Sequence, residues 1–356
     1  MARSVQALPK AHLHLHFTGS LRITTLRALA DKHGLRLPAA LVQDWPPRLR
    51  ATDERGWFRF QRLYDAARAC VQDESDMRRI VREAAEDDAA EGSRWLEIQV
   101  DPTSYAPFVG GLTPALEIVL DEARAASRET ATEVAVIVAA SRTRHPMDAR
   151  TLARLAAQYA GDGPGTVVGF GLSNDERRGD TAEFEPAFRI AGRAGLARVP
   201  HAGELLGPSH VRDALDHLSP DRLGHGVRAT EDPALLESLV RRGVTLEVCP
   251  SSNVALGVYE ELSHVPLRRL VDSGVGIALG ADDPLLFGSR LLAQYESART
   301  DHGLTDEELA ELARGSVRGS RAPEATRAAL LADIDAWLAA PSADRSPSRA
   351  GDALRG

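Results

Sequence analysis

The segment LPKAHLHLHFTGS (8–20) places His12, His14 and His16 at every second position. In an extended strand alternate side chains share a face, so the three imidazoles are expected to point the same way. Further along, HAGE (201–204) carries His201 and Glu204, RLGHGV (222–227) carries His225, and LGADDP (279–284) carries Asp282 and Asp283. Histidines joined by a carboxylate form a nitrogen and oxygen donor set that suits zinc with one position left open for water. Each signal alone has a plain structural explanation. His-x-His is more often incidental, a strand-end histidine is more often hydrogen-bonded structure, and Asp-Asp before proline usually caps a helix or makes a turn.

The elements that must carry these residues are legible as apolar runs. Strands are expected at 10–17, 94–100, 133–140, 166–172, 196–202, 221–227, 244–250 and 275–281, mostly β-branched or continuously apolar, as in parallel strands buried on both faces. Between them, 76–92, 114–130, 148–163 and 232–244 repeat apolar residues at helical intervals. Eight strands alternating with helices predict an α/β fold, a (β/α)₈ TIM barrel, with a helical insertion after strand 1 that includes ERGWFRFQRLYDAARACV (54–71). Residues 1–339 are expected to form a single barrel domain, and the Pro/Ser/Gly/Arg-rich 340–356 a disordered tail. In such barrels function sits at the carboxyl ends of the strands. Strands 1, 5, 6 and 8 all end in the polar residues named above. Packing does not require that, and charge buried at a barrel mouth costs several kcal/mol unless paired or metal-bound.

Composition narrows the field. The chain has 356 residues, a net charge of −8 and only two cysteines, Cys70 and Cys249. No basic surface advertises nucleic acid, no disulfide framework or thiolate zinc site is available, and no apolar run approaches a membrane span. A cytoplasmic protein is the expectation, acting on a small molecule, with no nucleic-acid or membrane partner; a homodimer is compatible with the sequence.

Five ordered motifs, KAHLHLHFTGS, HAGE, RLGHGV, SSN (251–253) and LGADDP, closely resemble the adenosine deaminase family of metal-dependent amidohydrolases over about residues 8–335. The resemblance implies that His14, His16, His201 and Asp282 bind one zinc ion per chain. It makes Glu204 the proton donor to the purine ring nitrogen, and has His225 orient and help deprotonate the attacking water. Asp283 would contact the ring near its other reactive edge. His12 falls where the family usually has glutamate, and its expected role is a buried, hydrogen-bonded histidine deeper in the barrel. Two-metal relatives bridge their ions with a strand-four lysine, and TVVGFGLSNDE (166–176) has none. The other zinc deaminase class needs His-x-Glu with Pro-Cys-x-x-Cys, which VCPSSN does not supply.

Substrate recognition departs from the family at three positions. Thr18 replaces an acid that contacts the ribose 5′-hydroxyl, and Gly171 and Asn174 replace an aspartate and a glycine whose amide meets the purine. Thr18 and Asn174 are nonetheless the expected substrate contacts. The implied reaction is deamination of a 6-aminopurine, adenosine to inosine first. The alternatives are adenine, a 5′-modified adenosine or aminodeoxyfutalosine. A different hydrolysis and a catalytically silent binding barrel are the competing functions; Glu204 with the paired Asp282–Asp283 argues against the first, and the intact ligand set with Glu204 against the second.

Overall fold

The apolar runs form eight strands, each within two residues of its expected bounds: β1 Lys10–His16, β2 Ser93–Val100, β3 Glu133–Ser141, β4 Val167–Ser173, β5 Ala197–Ala202, β6 Arg222–His225, β7 Thr245–Val248 and β8 Gly276–Leu279. They pair in chain order and all in parallel. Closure from β8 to β1 comes through one bridge, Leu15 with Asp282. There the Asp282 amide donates to the His14 carbonyl and the His16 amide donates to the Asp282 carbonyl, both at 3.0 Å. The result is a (β/α)₈ barrel. The computed structural model describes residues 3–340, so the tail expected from 340 on lies outside them beyond that residue. Among the described residues no helix is long and apolar enough to cross a membrane.

The long connection after β1 holds four helices, Ile23–Lys32, Ala39–Val42, Glu54–Arg68 and Glu74–Ala90. Asp53 caps the third by accepting from the Gly56 amide at 2.6 Å, and Asp73 with Asp76 forms a capping box on the fourth. The third lies over the carboxyl ends of the strands, where Phe60 stacks on Phe287 with centroids 6.0 Å apart.

Strand β1 does not keep strict alternation. Its register with β2 shifts between His12 and Leu15, and such an irregularity re-aims side chains. His12 therefore faces the outer helix Glu74–Ala90 instead of sharing the interior with His14. Its Nδ1 lies 3.0 Å from both Asp88 oxygens, and its Nε2 accepts from the Ala281 amide at 3.0 Å. It is the buried, hydrogen-bonded histidine expected, but on the outer side of the strand.

Inside the barrel, below the strand ends, lies a buried charge network. Arg222 bridges Glu97 at 2.5 Å and Glu247 at 2.6 Å, and the Trp95 indole donates to Glu97 at 2.9 Å. This network is the floor on which the site rests.

Candidate functional site

The ends of β1, β5, β6 and β8 bring His16, His201, His225, Glu204, Asp282 and Asp283 to the wall of one cavity of about 440 Å³, with His14 fully buried beside His16 and His201. His16 Nε2 lies 3.2 Å from His201 Nε2 and 3.2 Å from Asp282 Oδ1, and His14 Nε2 lies 3.7 Å from the same oxygen. Tetrahedral ligands at about 2.0–2.1 Å from zinc stand about 3.3 Å apart, so these donors fit that group. His14 Nε2 is buried without a hydrogen-bond partner; its Nδ1 donates to Glu247 at 2.7 Å, so Nε2 is the nitrogen that faces the centre and would bind a metal there in place of a proton. Gly224 permits this convergence. A Cβ there would meet the rings of His14 and His201 at 3.0 Å.

Electrostatics define the roles open to each group. Burial disfavours charge on His14, yet the Asp282 and Glu247 carboxylates outweigh it and raise its pKa to about 10. Those two carboxylates create a demand for positive charge between them. Burial also pushes Asp282 up, but His14 and His16 outweigh this and hold it well below the usual carboxylate range. Glu204 is driven the other way: burial, then the charges of Asp282 and Glu176, raise it well above an ordinary glutamate. Burial lowers His225 to about 3, so its imidazole is neutral near pH 7. Its Nε2 lies 3.6 Å from Glu204 and 3.9 Å from Asp282. Asp283 is raised well above its ordinary value by burial and by Asp282. The site thus pairs an ionised carboxylate with two that keep their protons. Both His225 and Asp282 hold a left-handed backbone, each at φ 63°, a strained conformation for such residues that recurs at functional sites.

The two expected substrate contacts line the same cavity. Thr18 is buried with its hydroxyl 2.5 Å from the Tyr105 hydroxyl. Asn174 adopts φ 81°, the conformation that favours the glycine it replaces. Several neighbours escaped sequence reasoning. Glu247 and Glu97 were visible as lone acids inside apolar strands, and Glu176 within SNDE, but nothing in the sequence said which groups they meet. Tyr64 and Tyr105 reach the cavity from the β1–β2 insertion and the loop after β2, and carried no signal.

Two other groupings of ligand-type side chains have simpler explanations. Cys249 lies near His14 and Asp282, but burial raises its thiol well above the ordinary range and keeps it protonated. Asp73 and Asp76 instead hold the Lys32 ammonium, at 2.7 Å and 2.6 Å, and His33 Nε2 lies 2.7 Å from Asp76.

Comparison with known proteins agrees with this geometry. The family model described as adenosine deaminase matches residues 9–337. A protein of Streptomyces virginiae named putative adenosine/adenine deaminase is 66% identical, over 95% of this chain and 98% of its own. The crystal structure of adenine deaminase from Arthrobacter aurescens is similar at 31% identity and a TM-score of 0.85, covering 94% of this chain and 100% of its own. An amidohydrolase of Burkholderia ambifaria, solved with bound zinc, is similar at 25% identity and a TM-score of 0.82, covering 94% of this chain and 92% of its own. The chain belongs to the adenosine deaminase family, enzymes that hydrolyse the C–N bonds of cyclic amidines with the help of a metal.

Proposed function

We propose that the protein removes the 6-amino group of a 6-aminopurine by hydrolysis with one zinc ion per chain, and that free adenine, yielding hypoxanthine and ammonia, is its preferred substrate. The observation that carries the reaction is the convergence of His14, His16, His201 and Asp282 beside a Glu204 that burial keeps protonated. These four residues would hold the zinc, which when bound lowers the pKa of a water toward about 7. Glu204 gives its proton to the ring nitrogen next to C6, removing the aromatic penalty of attack there. Neutral His225 orients the attacking water and takes its first proton, which then passes to the departing amine. The second proton of that water returns to Glu204 as the carbonyl forms. Asp283, still protonated, donates to the ring's other edge.

The choice of adenine rests on Thr18. Its hydroxyl is already engaged by Tyr105, and the carboxylate that would grip a ribose in a charge-assisted contact of about 1.5–3 kcal/mol is missing. Base recognition is better supported, since the left-handed backbone of Asn174 can present its amide as glycine would. A second reading, adenosine to inosine, is favoured by the cavity itself, which continues to Arg68 and Arg144 and falls within the size range of ligand pockets, about 300–1,000 Å³. Ranking kcat/KM for adenine, adenosine, 2′-deoxyadenosine, 5′-methylthioadenosine and aminodeoxyfutalosine decides between them. Adenine is expected about tenfold or more ahead of adenosine, the discrimination worth about 1.4 kcal/mol. Adenosine ahead would establish the second reading, and ammonia release from none of the five would overturn both.

A further inference from the structure

The SNDE segment that follows β4 contains a carboxylate that the reaction above does not use. Glu176 is buried, and its Oε2 accepts from three successive backbone amides: Glu204 at 3.1 Å, Leu205 at 2.5 Å and Leu206 at 2.9 Å. Three consecutive N–H groups aimed at one oxygen form a nest, the backbone's own anion site, here filled by a side chain. Gly203 makes the nest possible. It holds φ 76°, and a Cβ there would lie 2.6 Å from Val211.

The other side of the same turn is held from the residue that follows β3. Arg142, also buried, donates from Nη2 to the His201 carbonyl at 2.7 Å and from Nη1 to Thr181 at 3.1 Å. The backbone between His201 and Leu206 is therefore gripped at its carbonyl end by a cation and at its amide end by an anion. Among the described residues no hydrogen bond orients the Glu204 side chain itself; the neutral His225 lies 3.6 Å from it. Where the Glu204 carboxyl points is thus set mainly from its backbone.

We infer that Glu176 is a positioning residue for Glu204: by filling the amide nest of residues 204–206 it places the proton donor over the ring. This rests on the reading of Glu204 as that donor. The placement itself needs an acceptor oxygen at the right reach, while the charge of Glu176 acts on Glu204 separately and behind burial and Asp282, so conservative variants separate the placement from a general structural role. A misplacement of about 1 Å can cost about 10²-fold in rate.

The test compares Glu176→Ala, Glu176→Gln and Glu176→Asp in the zinc-loaded enzyme, reading kcat, KM, zinc content and hydrogen exchange of the amides at 204–206. Glu176→Ala is expected to lose about 30–100-fold in kcat with KM within about threefold. Zinc should stay at wild-type content, and the three amides should exchange faster. Glu176→Gln, whose amide oxygen has the same reach, is expected to recover to within about fivefold of wild type, while Glu176→Asp, one methylene short, stays well below it. If the alanine variant does not fold, the order of Gln above Asp carries the test. An alanine variant with open amides but near wild-type kcat, or Asp outperforming Gln, would overturn the inference. A wild-type enzyme inactive on every aminopurine would instead strike the reading of Glu204, while the exchange data would still report on the nest.

Discussion

In the proposed reaction Glu204 is the proton donor. Burial and two neighbouring carboxylates hold its proton on, which is what a general acid needs at neutral pH. Glu204→Gln should lower kcat by about 10²–10⁴-fold while zinc content by metal analysis stays unchanged, since Gln keeps the shape but has no proton to give. The same substitution should alter stability in a direction opposite to activity. Between the unfolded pKa of about 4.3 and the raised folded value, the folded chain keeps a proton that the unfolded chain releases. Wild-type stability therefore falls as pH rises through that window. Unfolding midpoints of Glu204→Gln should exceed wild type at pH 7.5 by more than at pH 5. An equal offset at both would show that Glu204 is not held protonated.

At the scale of elements, the decisive feature is the seam between β8 and β1. Among the described residues the Leu15–Asp282 bridge alone closes the barrel there, and Asp282 is also the proposed fourth metal ligand. His12 secures that seam from outside, joining Asp88 of the helix Glu74–Ala90 to the amide of Ala281, one residue before Asp282. His12→Leu leaves both partners buried and unpaired, at a cost of about 1–3 kcal/mol per group. Zinc affinity measured by chelator competition should fall about 10–100-fold, as when a ligand's supporting contact is lost. Unchanged affinity would mean that the bridge alone places Asp282.

Across the whole molecule, the site stands on charges that run down the barrel axis. His14 leans on Glu247, Glu247 on Arg222, and Arg222 on Glu97, whose other oxygen accepts from the Arg321 amide at 2.6 Å. Arg222 also donates to the Gly319 carbonyl at 2.9 Å, tying the far end of the barrel to the same chain. Arg222→Met strands two buried carboxylates and should destabilise the fold by about 3–5 kcal/mol in denaturant unfolding. A loss under about 1 kcal/mol would mean that water or relaxation replaces the arginine.

The sequence by itself determined the barrel and the membership of its site. Parallel strands buried on both faces must read as continuous apolar runs, so polar residues at their carboxyl ends stand out against that background. His14, His16, His201, Glu204, His225, Asp282 and Asp283 could all be named this way, and the structure brings them together, six on the cavity wall and His14 buried against them. Tertiary structure alone decided what each of them leans on. His12 left the interior because one register shift, invisible in a regular His-x-His-x-His spacing, turned it toward Asp88. Glu176 acquired its three amides because β4 and β5 are neighbours and Gly203 turns the backbone between them. Thr18 met Tyr105 across 87 positions of chain. Periodicity reports which face of an element is apolar; a hydrogen bond between distant elements depends on their register and twist, which emerge only when the barrel closes.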